Sequence, residues 1–275
     1  MIKYYLLTNR SKFMKNYPII FRNKFKRFYL FLLYLLLSIG YDQKQYYLEQ
    51  EKTFKELNLD IERGRLKLKN YLKSNNIKEP TSWHWLLAAS ISVSDRKVKK
   101  VLEIGTHSGR FAHFLATIFS DAEVHTIELP EDHPIYLNSY SRGEGEGLIN
   151  YSEKREKLLN SCKNIEFIRE NSIYLTFSNE RYDFIWIDGA HGYPVVSIDI
   201  ANALRLANPK GIIALDDVRI DNVLLETELY SSVGAWNTLR AFVSDCNVKC
   251  HLIYKRINTP RAHNFIKKYI ALLEK

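Results

Sequence analysis

From Lys99 onward the apolar positions alternate between two rhythms. Short runs of strand type occur at 100–104, 123–127, 165–168, 183–187 and 211–215. Between them, apolar residues recur at helical spacing near 110–119, 151–162 and 194–207. Such alternation predicts an α/β fold with a doubly wound, mostly parallel sheet and helices on both faces. The pattern then predicts a helix near Gly234–Ser244, a strand near Cys250–Lys255 and a basic amphipathic helical tail over 262–275. Upstream, Gln43–Leu57 and Ile61–Asn75 read as charged helices covering the sheet edge. A third helix, capped by Thr81 or Ser82, continues through Leu86–Ile91. Trp83 and Trp85 in that segment either pack in the core or line a cleft.

The first 41 residues follow neither rhythm. Phe28–Gly40 is almost wholly apolar, yet at 13 residues it is shorter than the roughly 20 that span a bilayer. Lys3, Arg10, Lys12, Lys15, Arg22, Lys24, Lys26 and Arg27 precede it without a single acid. The whole chain carries a net charge of +9, so this arm holds nearly all of it. A nearly neutral body argues against nucleic acid as partner. The arm reads as an interfacial anchor meeting anionic lipid, or as a helix packed on the body or a second subunit in a homo-oligomer. No small-residue cleavage site follows it, which disfavours export. Cys162, Cys246 and Cys250 form no closely spaced framework, in keeping with reduced thiols and a cytoplasmic location, with the arm at the inner membrane face. The chain therefore divides into an arm (1–41), a helical extension (42–98), the α/β domain (99–258) and a tail (259–275).

Candidate chemistry begins at Val101–Arg110, a strand, a glycine turn and a helix start. Counting from Gly105, His107 and Arg110 occupy the positions where a dinucleotide fingerprint needs its second and third glycines. What stands is Glu103-x-Gly105-x-x-x-Gly109, a turn that brings backbone close to a polar nucleotide-like ligand at a helix N-terminus. Thr106, His107 and Ser108 lie within it. Glu128 ends the next strand 23 residues after Gly105, a spacing suited to a ribose diol. Two later strands also end in acids, Asp188 and the pair Asp216-Asp217. Three acids converging at one sheet edge without basic partners would repel one another, and a hard divalent cation such as Mg²⁺ would resolve that conflict.

These motifs together resemble the class I S-adenosylmethionine (SAM) methyltransferases, in the branch of metal-dependent O-methyltransferases that includes catechol and macrolide-sugar O-methyltransferases. The residues carrying the likeness are Glu-x-Gly-x-x-x-Gly, Ile187-Asp-Gly-x-His191-x-Tyr193, Pro209-Lys-Gly211 and Asp216-Asp-Val218, over about 99–218. The resemblance implies a Rossmann-like sheet, SAM at the glycine turn with contacts from Asn171, Ser172 and Asp188, and Mg²⁺ on Asp188, Asp216 and Asp217. It also implies His191 as general base. The first acid of the pair is Glu in some relatives and Asp here, and the arm has no counterpart in the pattern.

The chemistry expected is methyl transfer to a hydroxyl of a saccharide or other small molecule. The metal would acidify the hydroxyl and His191 would take its proton. Alternatives are a metal-independent methyltransferase of unknown acceptor and a non-catalytic protein that keeps the SAM fold. An RNA methyltransferase is disfavoured by the neutral body. The long insert 129–147, with Tyr136, Tyr140 and Arg142, reads as a substrate lid.

Overall fold

The computed structural model describes residues 38–138, 145–220, 233–246, 248–258 and 267–274, together with residues 32 and 35. The basic, apolar arm and the centre of the 129–147 insert lie largely outside them. Among the described residues no helix is long and apolar enough to cross a membrane.

Three helices open the described chain: α1 (Gln43–Glu56), α2 (Ile61–Ser74) and α3 (His84–Ser92). Asp42 and Asp60 cap the first two, each accepting backbone N–H bonds from the first helical turn. The α/β body follows as β1 (Lys100–Ile104), α4 (Arg110–Ile118), β2 (Glu123–Glu128), α5 (Pro134–Asn138), α6 (Glu146–Leu159) and β3 (Ile165–Arg169). After a 3₁₀ turn (Ser172–Phe177) come β4 (Tyr182–Ile187), α7 (Val195–Leu206), β5 (Ala207–Val218), α8 (Gly234–Cys246), β6 (Lys249–Tyr254) and β7 (Tyr269–Glu274).

The seven strands lie in the order β3-β2-β1-β4-β5-β7-β6. Strands β1 to β5 are parallel, while β7 runs antiparallel to both β5 and β6. The order reverses between β1 and β4, and ligands of open α/β sheets bind outside the carboxyl ends of the strands at such a switch point. Central strands are apolar on both faces, as two-sided burial requires. One core fills the side covered by α1–α4, the other the side covered by α7 and α8.

The helical extension is continuous with this body. Phe54, Leu72, Trp85 and Ile91 share one core with Phe114, Phe184 and Trp186. Both tryptophans of the Glu79–Trp85 segment pack: Trp83 is 6% and Trp85 8% exposed. Gln50 bonds both backbone groups of Tyr254, at 3.0 and 2.9 Å, so α1 covers the outer strand β6. A side chain at Gly64 would sit 2.1 Å from Ser90 Oγ, which is why α2 approaches α3 through a glycine.

One element departs from the sequence pattern. The expected helical tail is, over Tyr269–Glu274, the strand β7 inserted between β5 and β6, its first five residues buried. Tyr-Ile-Ala-Leu-Leu is apolar on every face, and so short a run carries no period that separates helix from strand. Residues 259–266 of the tail lie outside the described residues.

Candidate active site

The glycine turn forms as its spacing predicts. Gly105 has φ +104° and Gly109 φ +73°, both in the region that favours glycine. A Cβ on Gly105 would lie 2.4 Å from Asp188 O, so the first glycine lets β1 and β4 end side by side. The backbone confirms the junction: Asp188 N donates to Ile104 O at 2.8 Å and Gly105 N to Ile127 O at 2.9 Å. His107, at the position of a dinucleotide fingerprint's second glycine, adopts φ +46°. Its N–H donates to Glu128 Oε2 at 2.8 Å, and Leu129 N donates to Glu128 Oε1 at 3.2 Å. Glu128 is thus fixed over the turn by two amides.

Beneath the turn lies a polar chain. Thr106 and Thr126 share a hydroxyl hydrogen bond at 2.6 Å, and Thr126 also donates to Glu103. Glu103 is 1% exposed, and burial pushes its carboxyl well above the usual range, with Asp188 and Glu128 adding to the rise. Ser108 is half-buried within the turn.

Asn171 and Ser172 each make a contact within the fold. Asn171 caps the 3₁₀ turn by accepting from Ile173 N at 3.1 Å. Ser172 O accepts from Asn202 Nδ2 at 3.1 Å, which ties that turn to α7. Tyr136 points inward: it is fully buried and accepts from Arg155 Nη1 at 2.9 Å, so it does not face an acceptor from a lid. Tyr140 and Arg142 lie outside the described residues.

At the neighbouring strand ends Asp188 and His191 come together, with His191 Nε2 3.4 Å from Asp188 Oδ1. Asp188 keeps 38% of its side chain open, while His191 is 5% exposed. Loss of solvent and the nearby Asp216 raise the Asp188 carboxyl, the His191 contact and Lys255 oppose them, and the net position is about 6. Burial alone would lower the His191 imidazole, but Asp188, Asp217 and Asp216 outweigh it and the net shift is upward.

With this geometry in view, residues 102–218 match the model of the Methyltransf_24 family, described as a methyltransferase domain. Residues 102–218 are thus similar to a methyltransferase domain over somewhat less than half of the chain. A candidate O-methyltransferase from Klebsiella pneumoniae superposes with a TM-score of 0.50 at 14% identity, over 84% of this chain and 98% of that one. TomG, an O-methyltransferase from Streptomyces achromogenes solved with SAM, has a TM-score of 0.48 at 15% identity, over 82% and 98%. An O-methyltransferase from Bacillus cereus in complex with SAH has 0.46 at 16%, over 85% and 100%. No curated protein matches the chain. The sheet therefore has the Rossmann-like methyltransferase fold of the Klebsiella structure.

The acid end of the site differs from expectation in its company. Asp216 is 1% exposed, and Asp217 adopts φ +54°. Both meet lysines that the sequence did not single out. Lys255 Nζ lies 2.5 Å from Asp216 Oδ2 and 2.5 Å from Asp217 Oδ1, and Lys268 Nζ lies 2.7 Å from Asp217 Oδ2. The inference of a metal assumed acids without basic partners, and that premise fails. The donor set does not suit a resident Mg²⁺, because ammonium groups already hold three of the pair's four oxygens. Among the described residues, the His and carboxylate groups close enough to share an ion are Glu123, His125 and Glu166, at the opposite end of the strands. There His125 Nε2 already bonds Glu123, and Lys100 bridges Glu123 to Glu180.

His84 is a further neighbour that sequence reasoning missed. It stacks on Trp186 at 5.7 Å and bonds Ser82 Oγ at 2.6 Å. Burial drives its imidazole down to about 4, against the pull of Asp216 and Asp217. No local spacing announces His84, Lys255 or Lys268, since each reaches the site only through tertiary pairing.

Proposed function

We propose that the protein transfers the methyl group of SAM to a hydroxyl of a saccharide or other small molecule, with His191 as general base. The observation that carries this reading is the Asp188–His191 pair, held beside the glycine turn by a strand-end junction so close that a Cβ on Gly105 would lie 2.4 Å from Asp188 O. SAM supplies an electrophilic sulfonium methyl. Gly105–Gly109 backs the cofactor, and Glu128 accepts from its ribose. The acceptor hydroxyl approaches from the open side of Asp188. His191 takes its proton as the oxygen bonds to the methyl carbon and the sulfur–methyl bond breaks, which leaves SAH and a methyl ether. Asp188 orients the imidazole and balances the charge it gains, and register between the two reactants contributes much of the rate.

Magnesium is not carried into this reading, because the lysines already balance the acid pair. The test is incubation with methyl-labelled SAM and panels of saccharide, phenolic and RNA acceptors. Label in a methyl ether supports the proposal; label confined to RNA or to nitrogen sinks it. His191→Asn should lower kcat by about 10²–10⁴-fold while leaving SAM affinity unchanged. Because the imidazole titrates above its ordinary 6.5, kcat should rise with pH through a midpoint above that value, and this limb should vanish in the variant.

A further inference from the structure

The acid cluster carries its own cation. With Asp188, three carboxylates stand against two ammonium groups and His191, a set whose charges nearly balance. A divalent ion added to it would bring surplus positive charge to a place where Asp216 is 1% and Lys255 6% exposed. Uncompensated charge in such surroundings is costly.

Lys255 is also built in. Its N–H donates to Lys268 O at 3.0 Å, and its carbonyl accepts from Trp83 N at 2.8 Å. The pairing of Tyr254 with Tyr269 sets Lys255 and Lys268 at the same end of the β6–β7 ladder. The pairing of Val218 with Tyr269 puts that end beside Asp217. Asp217 holds its left-handed backbone where both lysines converge, a strained arrangement that the surrounding contacts maintain.

We propose that Lys255 is a built-in counter-cation for Asp216 and Asp217, so that the protein binds no divalent ion at this cluster and gains a site for one only when Lys255 is removed. Loss of that one charge leaves three carboxylates against Lys268, an oxygen-rich, doubly negative set of the kind hard divalent ions select. The ion-binding claim stands apart from the methyl-transfer reading, and only its consequence for turnover rests on it.

The test reads ion binding and melting, with Mg²⁺ and Mn²⁺ themselves as probes. Dialysed full-length protein should show no binding heat with either ion, and its Tm should be the same in millimolar Mg²⁺ and in chelator. Lys255→Met should melt about 8 °C lower, and millimolar Mn²⁺ should restore at least about 3 °C of that loss. Stoichiometric binding to the unaltered protein, abolished by Asp188→Asn, would overturn the proposal. So would a folded Lys255→Met variant that Mn²⁺ leaves unchanged. If that variant fails to fold, titration of the unaltered protein decides alone. Absence of methyl transfer to every acceptor, with these ion results as predicted, would count against the functional reading and not against this one.

Discussion

The two halves of the site are built in opposite ways. The cofactor half, Glu103 to Gly109 with Glu128, comes from one βαβ unit. Its parts lie within about thirty residues of one another, and each is fixed by backbone: two left-handed glycines and two amides on Glu128. The acid half joins the ends of β4 and β5 to lysines that follow β6 and precede β7. It is fixed by charge. A site held by backbone shape is sensitive to a single methyl group, whereas one held by compensating charges is sensitive to the loss of a partner and to pH.

Three substitutions press on that contrast. The largest effect belongs to the backbone half. Gly105→Ala places a Cβ 2.4 Å from Asp188 O at a φ of +104°. It should cost at least about 3 kcal/mol and abolish SAM binding, measured by thermal melting and calorimetry. Retained SAM affinity would show that β1 and β4 are not locked together there.

Next comes acidification around the charged half. His84 is held neutral to about pH 4, while an unfolded histidine takes up its proton near 6.5. The unfolded chain therefore binds more protons between those values, and stability falls as pH drops through that window, by up to about 3 kcal/mol. His84→Phe should flatten the melting curve over that range relative to the unaltered protein. An unchanged pH slope would remove His84 from the account. The smallest effect is Glu128→Gln, which keeps the shape but weakens the acceptor for a ribose diol. SAM Kd should rise about tenfold with little change in Tm, and an unchanged Kd would place the ribose elsewhere.

Legibility followed the same divide. The strands β1 to β4, the glycine turn and the helices after them follow from local periodicity, and their boundaries differ from expectation by a few residues. The largest of these shifts is α6, which begins at Glu146, directly after the positive-φ Gly145, where the pattern pointed to 151. Asp188 and His191 were visible because they follow a run of strand type. Lys255 and Lys268 were not, because their role depends on β7 entering between β5 and β6, and Tyr269–Leu273 looks the same on every face. The three acids were found, but the inference drawn from them took no account of the lysines that meet the pair. Asn171 also has a part in the fold that the sequence did not announce, since it caps the next turn.

The most direct test of the account is the rate of methyl transfer from labelled SAM by the full-length protein, measured in chelator and again in millimolar Mg²⁺. The account predicts equal rates in the two buffers and a loss of about 10²–10⁴-fold in both for His191→Asn. Transfer that appears only when Mg²⁺ is added, or that survives intact in His191→Asn, would contradict it.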